Sequence, residues 1–378
     1  MSGPDSIFRY VVPRQEGGCA PCALAAGGRA RRSGAAGRGR RADGAALDAD
    51  SRKALAGLTT TTDECAEDVE RAPGTPCASK RVTKAIAAFA GDVPPAAAPA
   101  GAGEAALLPT APTPEAEAVR AAAAALGCDS ESCVVTHPVF RRYVVERNVV
   151  PEAALDLELE TRFKAPGPRD SKGLLSNYNI DETLRRWARV FPEFHPCPFA
   201  MMDFERNGDR FGQIELPDVL AGRAPVDLGP GFGVVRRPAS CFGCVLNTDT
   251  SSGPGKHWVA VFVDARPGPG EPWSVEYFNS AGNPPPKPVV RWMERARAQL
   301  AEYRAALPAS RDREAGRDVV SVPVTDVDHQ ESQTECGLYA LYYIRRRLEG
   351  VPYPFFFEQL VPDDAMTAFR AHVFRSAK

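Results

Sequence analysis

The feature that most restricts this chain is the order of local propensities in its C-terminal half. Residues 257–264 (His-Trp-Val-Ala-Val-Phe-Val-Asp) and 273–279 (Trp-Ser-Val-Glu-Tyr-Phe-Asn) are β-rich and divided by a Pro/Gly stretch, which predicts a hairpin. A third strand is expected over 319–325, where Pro323 marks an edge or a bulge. Soon after it, 337–348 is apolar nearly all round for two turns and predicts a buried helix. Arg345, Arg346 and Arg347 then complement its C-terminal dipole, and Gly350 caps it. A last helix is expected over 362–374. Strands flanked by helices of different kinds give an α+β fold class.

The first third reads differently. Gly/Ala/Arg runs over 27–44, four threonines at 59–62 and a Pro/Ala tract at 93–102 cannot bury enough apolar surface to offset chain entropy. Residues 1–112 are therefore expected to be low-complexity and mostly disordered, with room for a short helix around 80–90. Order is expected from Thr113, an N-cap ahead of Pro114, through a helix that stops at Gly127. After an ordered stretch over 128–163, a helix from Asp181 sets Leu184, Trp187, Ala188 and Phe191 on one face. Arg185, Arg186 and Arg189 fall on the other. This makes 113–189 a helical accessory segment and 190–378 the principal domain.

Composition removes some classes of function. A net charge of -2 over 378 residues implies no global attraction to nucleic acid or anionic membrane. No apolar run approaches the ~20 residues of a spanning helix, and the start lacks a signal-peptide core, so export is not expected. Ten cysteines in a chain this long do not make a disulfide-dense scaffold, so a reducing compartment and free thiols are expected.

The hairpin carries chemistry at its open end. If Asp264 faces Pro272, His257 faces Asn279, and an imidazole lies beside a carboxamide on one face. Cys336 stands just ahead of the buried helix, where amide N–H groups favour a thiolate over the ordinary thiol of pKa about 8.5. The Cys336 amide and Gln330, six residues earlier, are donors for an oxyanion. Nucleophile, base, orienter and donor together form a set for attack on a carbonyl.

Lys256-His257-Trp258, then Tyr277-Phe278-Asn279-Ser280, then residues 329–337 (His-Gln-Glu-Ser-Gln-Thr-Glu-Cys-Gly) resemble the ubiquitin-like-protein-processing cysteine protease clan. That clan takes in the cellular ubiquitin-like-protein proteases, the adenovirus-type proteases and the processing proteases of large DNA viruses. Asn279, where the cellular members usually have Asp, is similar to the asfarvirus-like branch, as is the long segment ahead of the motifs. The resemblance implies a papain-like core and cleavage after small residues, often Gly-Gly. It also implies a narrow substrate slot beside Trp258. The expected function is processing of viral structural polyprotein precursors, with removal of ubiquitin or SUMO-like modifiers as the alternative. A non-catalytic nucleic-acid or virion scaffold is the rival of a different class. No cofactor, metal or membrane partner is expected, and the place of action is the host cytoplasm or the virion.

Other readings of these residues stand beside these. Asn279 is also a turn residue; Glu276 is a competing orienter, but its odd spacing turns it to the opposite face. Gln333 competes with Gln330, and Asp326 and Asp328 read as loop solvators. Cys241 and Cys244, and Cys19 and Cys22 with Cys65 and Cys77, have zinc-like spacing in an irregular context. His137 and His195 read as structural. The arginines at 29, 31, 32, 38, 40 and 41 form a nucleic-acid tract or a solvated tail.

Overall fold

The computed structural model describes residues 64–72, 74–93, 113–168, 173–266, 272–307 and 319–375. Cys19, Cys22 and the arginine tract lie outside the described residues. The described chain divides into two compact units, one formed by Ala200–Ile214 and Gly243–Ala368 and the other by the remainder. The border expected at 190 thus falls inside the second of these.

The first unit is built on a sheet whose neighbouring strands run Cys241–Asn247, Trp258–Asp264, Trp273–Phe278 and Val319–Val324. The two-residue strand Ala200–Met201 pairs parallel to the first of these. The central hairpin is antiparallel, and Val319–Val324 pairs parallel to its second strand. Pro323 sits on that last strand, at the end of the order, as its missing N–H requires. The first three strands are buried along nearly their whole length, which explains why they read as continuous apolar runs rather than alternating ones.

Two helices attend this sheet. Cys336–Leu348 is buried at every position and contacts Trp258–Asp264. Lys287–Ala306 contacts the second hairpin strand and the edge strand. Sequence reasoning passed over this second helix, although its start at a proline and its buried stripe of Val289, Trp292, Met293, Ala296 and Leu300 follow helical spacing.

The register differs from the expectation. Asp264 faces Ser274 rather than Pro272, and the pairing runs on to Ala260 opposite Phe278. The slip is two residues, so every side chain keeps its face. The three arginines lie in the last turn of the helix as expected, and they are buried there: Arg345 and Arg346 each reach Glu349 at 2.7 Å. Arg347 grips Glu276 through two bonds of 2.7 and 2.8 Å and reaches Asp264 at 2.9 Å.

The second unit has its own helical core. Val82, Ile86 and Phe89 of Lys80–Asp92 meet Ala122, Val135, Phe140, Val144 and Leu155 from the four helices that follow. Pro114–Leu126 has the expected Thr113 cap and ends on Gly127 at φ 68°. Residues 64–93, counted with the low-complexity region on composition, are folded here. Disulfides Cys65–Cys77 and Cys128–Cys133 tie this unit, against the expectation of free thiols. The short helix allowed around 80–90 is present as Lys80–Asp92, and its apolar face is what gives this stretch a core to join. The helix expected from Asp181 begins at Asn177, where Ser176 and Asn179 close a capping box. Leu184, Trp187 and Ala188 are buried as expected, whereas Arg189 turns inward to Asp68 at 2.8 Å.

The buried Arg347–Glu276 pair yields a stability prediction. Arg347→Met should cost about 3–5 kcal/mol, because Glu276 keeps its charge without its cation. Glu276→Gln should cost less, since an amide oxygen still accepts from one of the two hydroxyls that meet the carboxylate and Arg347 keeps Asp264. Urea unfolding midpoints compare the two.

Candidate active site

His257 lies at the threshold of the first hairpin strand. Its carbonyl accepts the Thr248 N–H at 2.8 Å, and its imidazole is half-buried. Imidazole Nε2 meets Asn279 Oδ1 at 2.8 Å. A carboxamide oxygen only accepts, so Nε2 carries the proton and Nδ1 is the basic nitrogen.

Asn279 is itself fixed. Its Oδ1 also accepts the Ala281 N–H at 3.0 Å, while Nδ2 donates to Tyr277 Oη at 3.2 Å and to the Asn283 carbonyl at 3.3 Å. These four contacts allow one orientation of the amide. Burial pushes the Tyr277 phenol up to about 12, so its oxygen remains a neutral partner. Glu276 takes no part, being held by Arg347, Tyr343 and Ser274, as its opposite parity requires.

Cys336 opens its helix and is 4% exposed. The backbone N–H groups of Trp258, Gly337 and Cys336 itself act on its sulfur in the sense that favours a thiolate. Trp258 follows His257, so part of this influence comes from the strand end that carries the imidazole. Sequence reasoning placed the tryptophan ring here but missed the amide, because main-chain donors leave no mark in a side-chain pattern. The thiolate expected from the helix start is not the resting form. Burial pushes the thiol up, the three N–H groups opposing it and nearby Glu335 adding to it. Burial likewise depresses His257, with the Asn279 bond working the other way. Burial thus works against charge on both groups, while the N–H groups at the sulfur and the Asn279 bond at the imidazole work for it.

Gln330 is oriented by Ser280 Oγ, which donates to its Oε1 at 2.8 Å, and by the Ser332 carbonyl, which accepts from its Nε2 at 2.7 Å. Gln333 is exposed. Asp326 takes a left-handed φ of 70° and Asp328 bridges to Ala281, so both shape the loop rather than merely solvate it.

The zinc readings that use Cys65 with Cys77 or Cys241 with Cys244 do not survive, and Cys19 with Cys22 lies outside the described residues. Cys65 and Cys77 are bonded to each other, and Cys241 and Cys244 lie three apart on one strand, on opposite faces. Among the described residues no three His, Cys, Asp or Glu side chains gather as a metal site. His137 caps a helix, and His195 is buried against the Phe242 ring.

Residues 244–377 match the Ulp1 protease family, C-terminal catalytic domain. A SUMO-1 cysteine protease of African swine fever virus (isolate Tick/South Africa/Pretoriuskop Pr4/1996) is 51% identical over 253 residues, 67% of this chain and 85% of the relative. The chain belongs to the Ulp1 protease family. A cysteine protease of the Tick/Malawi/Lil 20-1/1983 isolate is 50% identical with the same coverage. The crystal structure of the pS273R protease of African swine fever virus superposes with a TM-score of 0.66 at 42% identity, covering 85% of this chain and 99% of the other. Family and fold make this protein a cysteine peptidase acting on protein substrates.

The base works only when neutral, so its depressed pKa sets the acid limb of kcat/KM below the ~6.5 of a solvated imidazole. Asn279→Ala removes the bond that raises it, so the limb should move further down while kcat falls. Asn279→Asp should move the limb up, since a carboxylate favours the imidazolium. It should also lose rate, because one carboxylate oxygen then faces the Asn283 carbonyl. pH–rate profiles of the three proteins check both directions.

Proposed function

We propose that this protease cleaves after a small-residue pair of the Gly-Gly type and that its substrates are viral structural polyprotein precursors. The observation that carries the reading is the His257 Nε2 to Asn279 Oδ1 bond at 2.8 Å, beside a cysteine tied to the same strand end. Cys336 is the nucleophile, His257 the base, Asn279 its orienter and Gln330 an oxyanion donor. The thiol proton passes to His257 Nδ1 as sulfur attacks the scissile carbonyl. The amide at the helix start and the second N–H of Gln330 meet the developing oxyanion. Collapse breaks the C–N bond, and His257 returns its proton to the leaving amine. Water, activated by the same imidazole, then releases the acid and restores the thiol.

Small residues before the cut follow from Trp258. Trp258 is 9% exposed, so its ring is packed in the protein, and its backbone acts on the sulfur of Cys336. Glycine lets an extended chain pass closest to such a wall. The viral relatives support the precursor reading. A second reading, removal of a SUMO-like modifier, is favoured by the description of one relative as a SUMO-1 cysteine protease. We place the enzyme in the host cytoplasm or the virion. The nucleic-acid scaffold reading rested on the arginine tract and has no support among the described residues.

Cys336→Ala and His257→Ala should each abolish hydrolysis, by several orders of magnitude, with folding intact. A positional peptide library should show glycine or alanine in the two positions before the cut, and Trp258→Ala should relax this. Parallel digestion of viral precursors and SUMO conjugates separates the two readings. A preference for a bulky residue before the cut would refute the slot.

A further inference from the structure

Ser280 stands between the two polar groups of the site without belonging to either. It is 1% exposed and follows Asn279 directly. Its carbonyl accepts two N–H groups, those of His329 at 2.8 Å and Gln330 at 3.2 Å. Its hydroxyl donates to Gln330 Oε1 at 2.8 Å. Gln330 is therefore held through both its main chain and its side chain by one residue.

The surrounding loops make this grip rigid. Ala281 bridges to Asp328, and the Asp326 N–H reaches the Gly282 carbonyl at 3.1 Å. Gly282 has φ 67°, and a side chain there would meet the Val327 carbonyl at 3.1 Å, so the two strands of this junction are in close contact. On the far side His329 is buried, with Nδ1 accepting the Val361 N–H at 3.2 Å. Burial pulls His329 down to about 4, the bond to the Phe356 carbonyl working the other way, so it stays neutral while the enzyme works. Tyr339 Oη closes the anchor on the His329 carbonyl at 3.0 Å.

A carboxamide has two nearly isosteric orientations, and only one offers N–H to an oxyanion; the other offers a lone pair and repels it. We infer that Ser280 is a positioning residue that holds the Gln330 amide in place for the oxyanion, its carbonyl on the Gln330 N–H and its hydroxyl on Oε1. The Ser332 carbonyl, which can only accept, fixes which end is Nε2 and takes one of its two N–H groups, leaving the second for the reaction. Because Ser280 adjoins Asn279, one turn sets the base and the oxyanion donor together. The inference rests on the assignment of Gln330 as an oxyanion donor.

The test combines two chemistries at the same sulfur. Peptide hydrolysis passes through an oxyanion, whereas alkylation of Cys336 by iodoacetamide does not. Ser280→Ala should lower kcat about tenfold with KM little changed, less than the roughly 100-fold or greater loss that removing an oxyanion donor causes in Gln330→Ala. The rate of inactivation by iodoacetamide, and its pH profile, should stay within about twofold of the parent, which a disturbed fold or a displaced His257 would not allow. In the Gln330→Ala background the further change Ser280→Ala should cost almost nothing, and Ser280→Cys, with a weaker donor, should fall between serine and alanine. Four results overturn the inference. Equal losses from Ser280→Ala in both backgrounds, or a matching fall in alkylation, would show that Ser280 acts elsewhere. Full activity of Ser280→Ala beside a crippled Gln330→Ala would show that Ser332 alone holds the amide. Full activity of Gln330→Ala would remove the oxyanion assignment itself, and the role of Ser280 with it.

Discussion

The strand Trp273–Phe278 lies between two others and is buried at every position, so each polar group it carries must find its partner inside the protein. Successive residues point to opposite faces, and the strand divides its polar work accordingly. Ser274 and Glu276 share one parity and join Tyr343 and Arg347 of the nucleophile helix. Tyr277 and Asn279 share the other and serve the imidazole. Phe278 returns to the first parity and stacks on Tyr343 at 4.5 Å. The helix that begins with Cys336 is thereby fixed to the same strand whose end holds the base. Placement of nucleophile against base is a consequence of core construction rather than of contacts between the two residues alone.

Burial also decides the electrostatics. A thiolate–imidazolium pair gains from mutual attraction, but both ions lose hydration, and here burial is the largest influence on each group. The protein supplies donors for the moment of charge instead. Three main-chain N–H groups face the sulfur, and the Asn279 oxygen faces Nε2. Such fixed dipoles need no reorganisation when the proton moves, which is the economical arrangement for a transient ion pair. A neutral orienter suits it: Asn279 strengthens the imidazolium without leaving a permanent charge in a dry site.

The α+β class, the three strands flanking the hairpin loop and the edge, and the nucleophile helix were legible in the sequence because long apolar runs and Pro/Gly breaks carry them. The candidate site residues stood out for a related reason: Cys336, His257, Asn279 and Gln330 are side chains with unusual spacing, and the bond between His257 and Asn279 is present in the structure. What escaped was held by groups that spacing does not report. The Trp258 amide on the sulfur is main chain. The disulfides of the helical unit depend on which cysteines meet in space, and Cys65 with Cys77 sits in a stretch whose composition resembles its low-complexity neighbours. The dipole role of the three arginines after Ile344 was legible, but their counter-charges were not, because Glu276 and Asp264 come from distant strands.

The hairpin shows why an incorrect register still led to two side chains that meet. The expected pairing set His257 squarely opposite Asn279, and the observed pairing displaces them by two residues along the strands. A shift of one would have sent the carboxamide to the face of Glu276 and left the imidazole without an orienter. A shift of two keeps both on one face and turns a direct neighbour into a diagonal one. Diagonal neighbours lie ~7–8 Å apart at the backbone, too far for short side chains but within reach of an imidazole and a carboxamide extended toward each other. Asn279 also lies just past the end of its strand, where the chain bends into the Ser280 turn and frees its amide to lean along the sheet. The 2.8 Å bond is therefore the product of side-chain length and of that turn, and the turn is held by the same serine that grips Gln330.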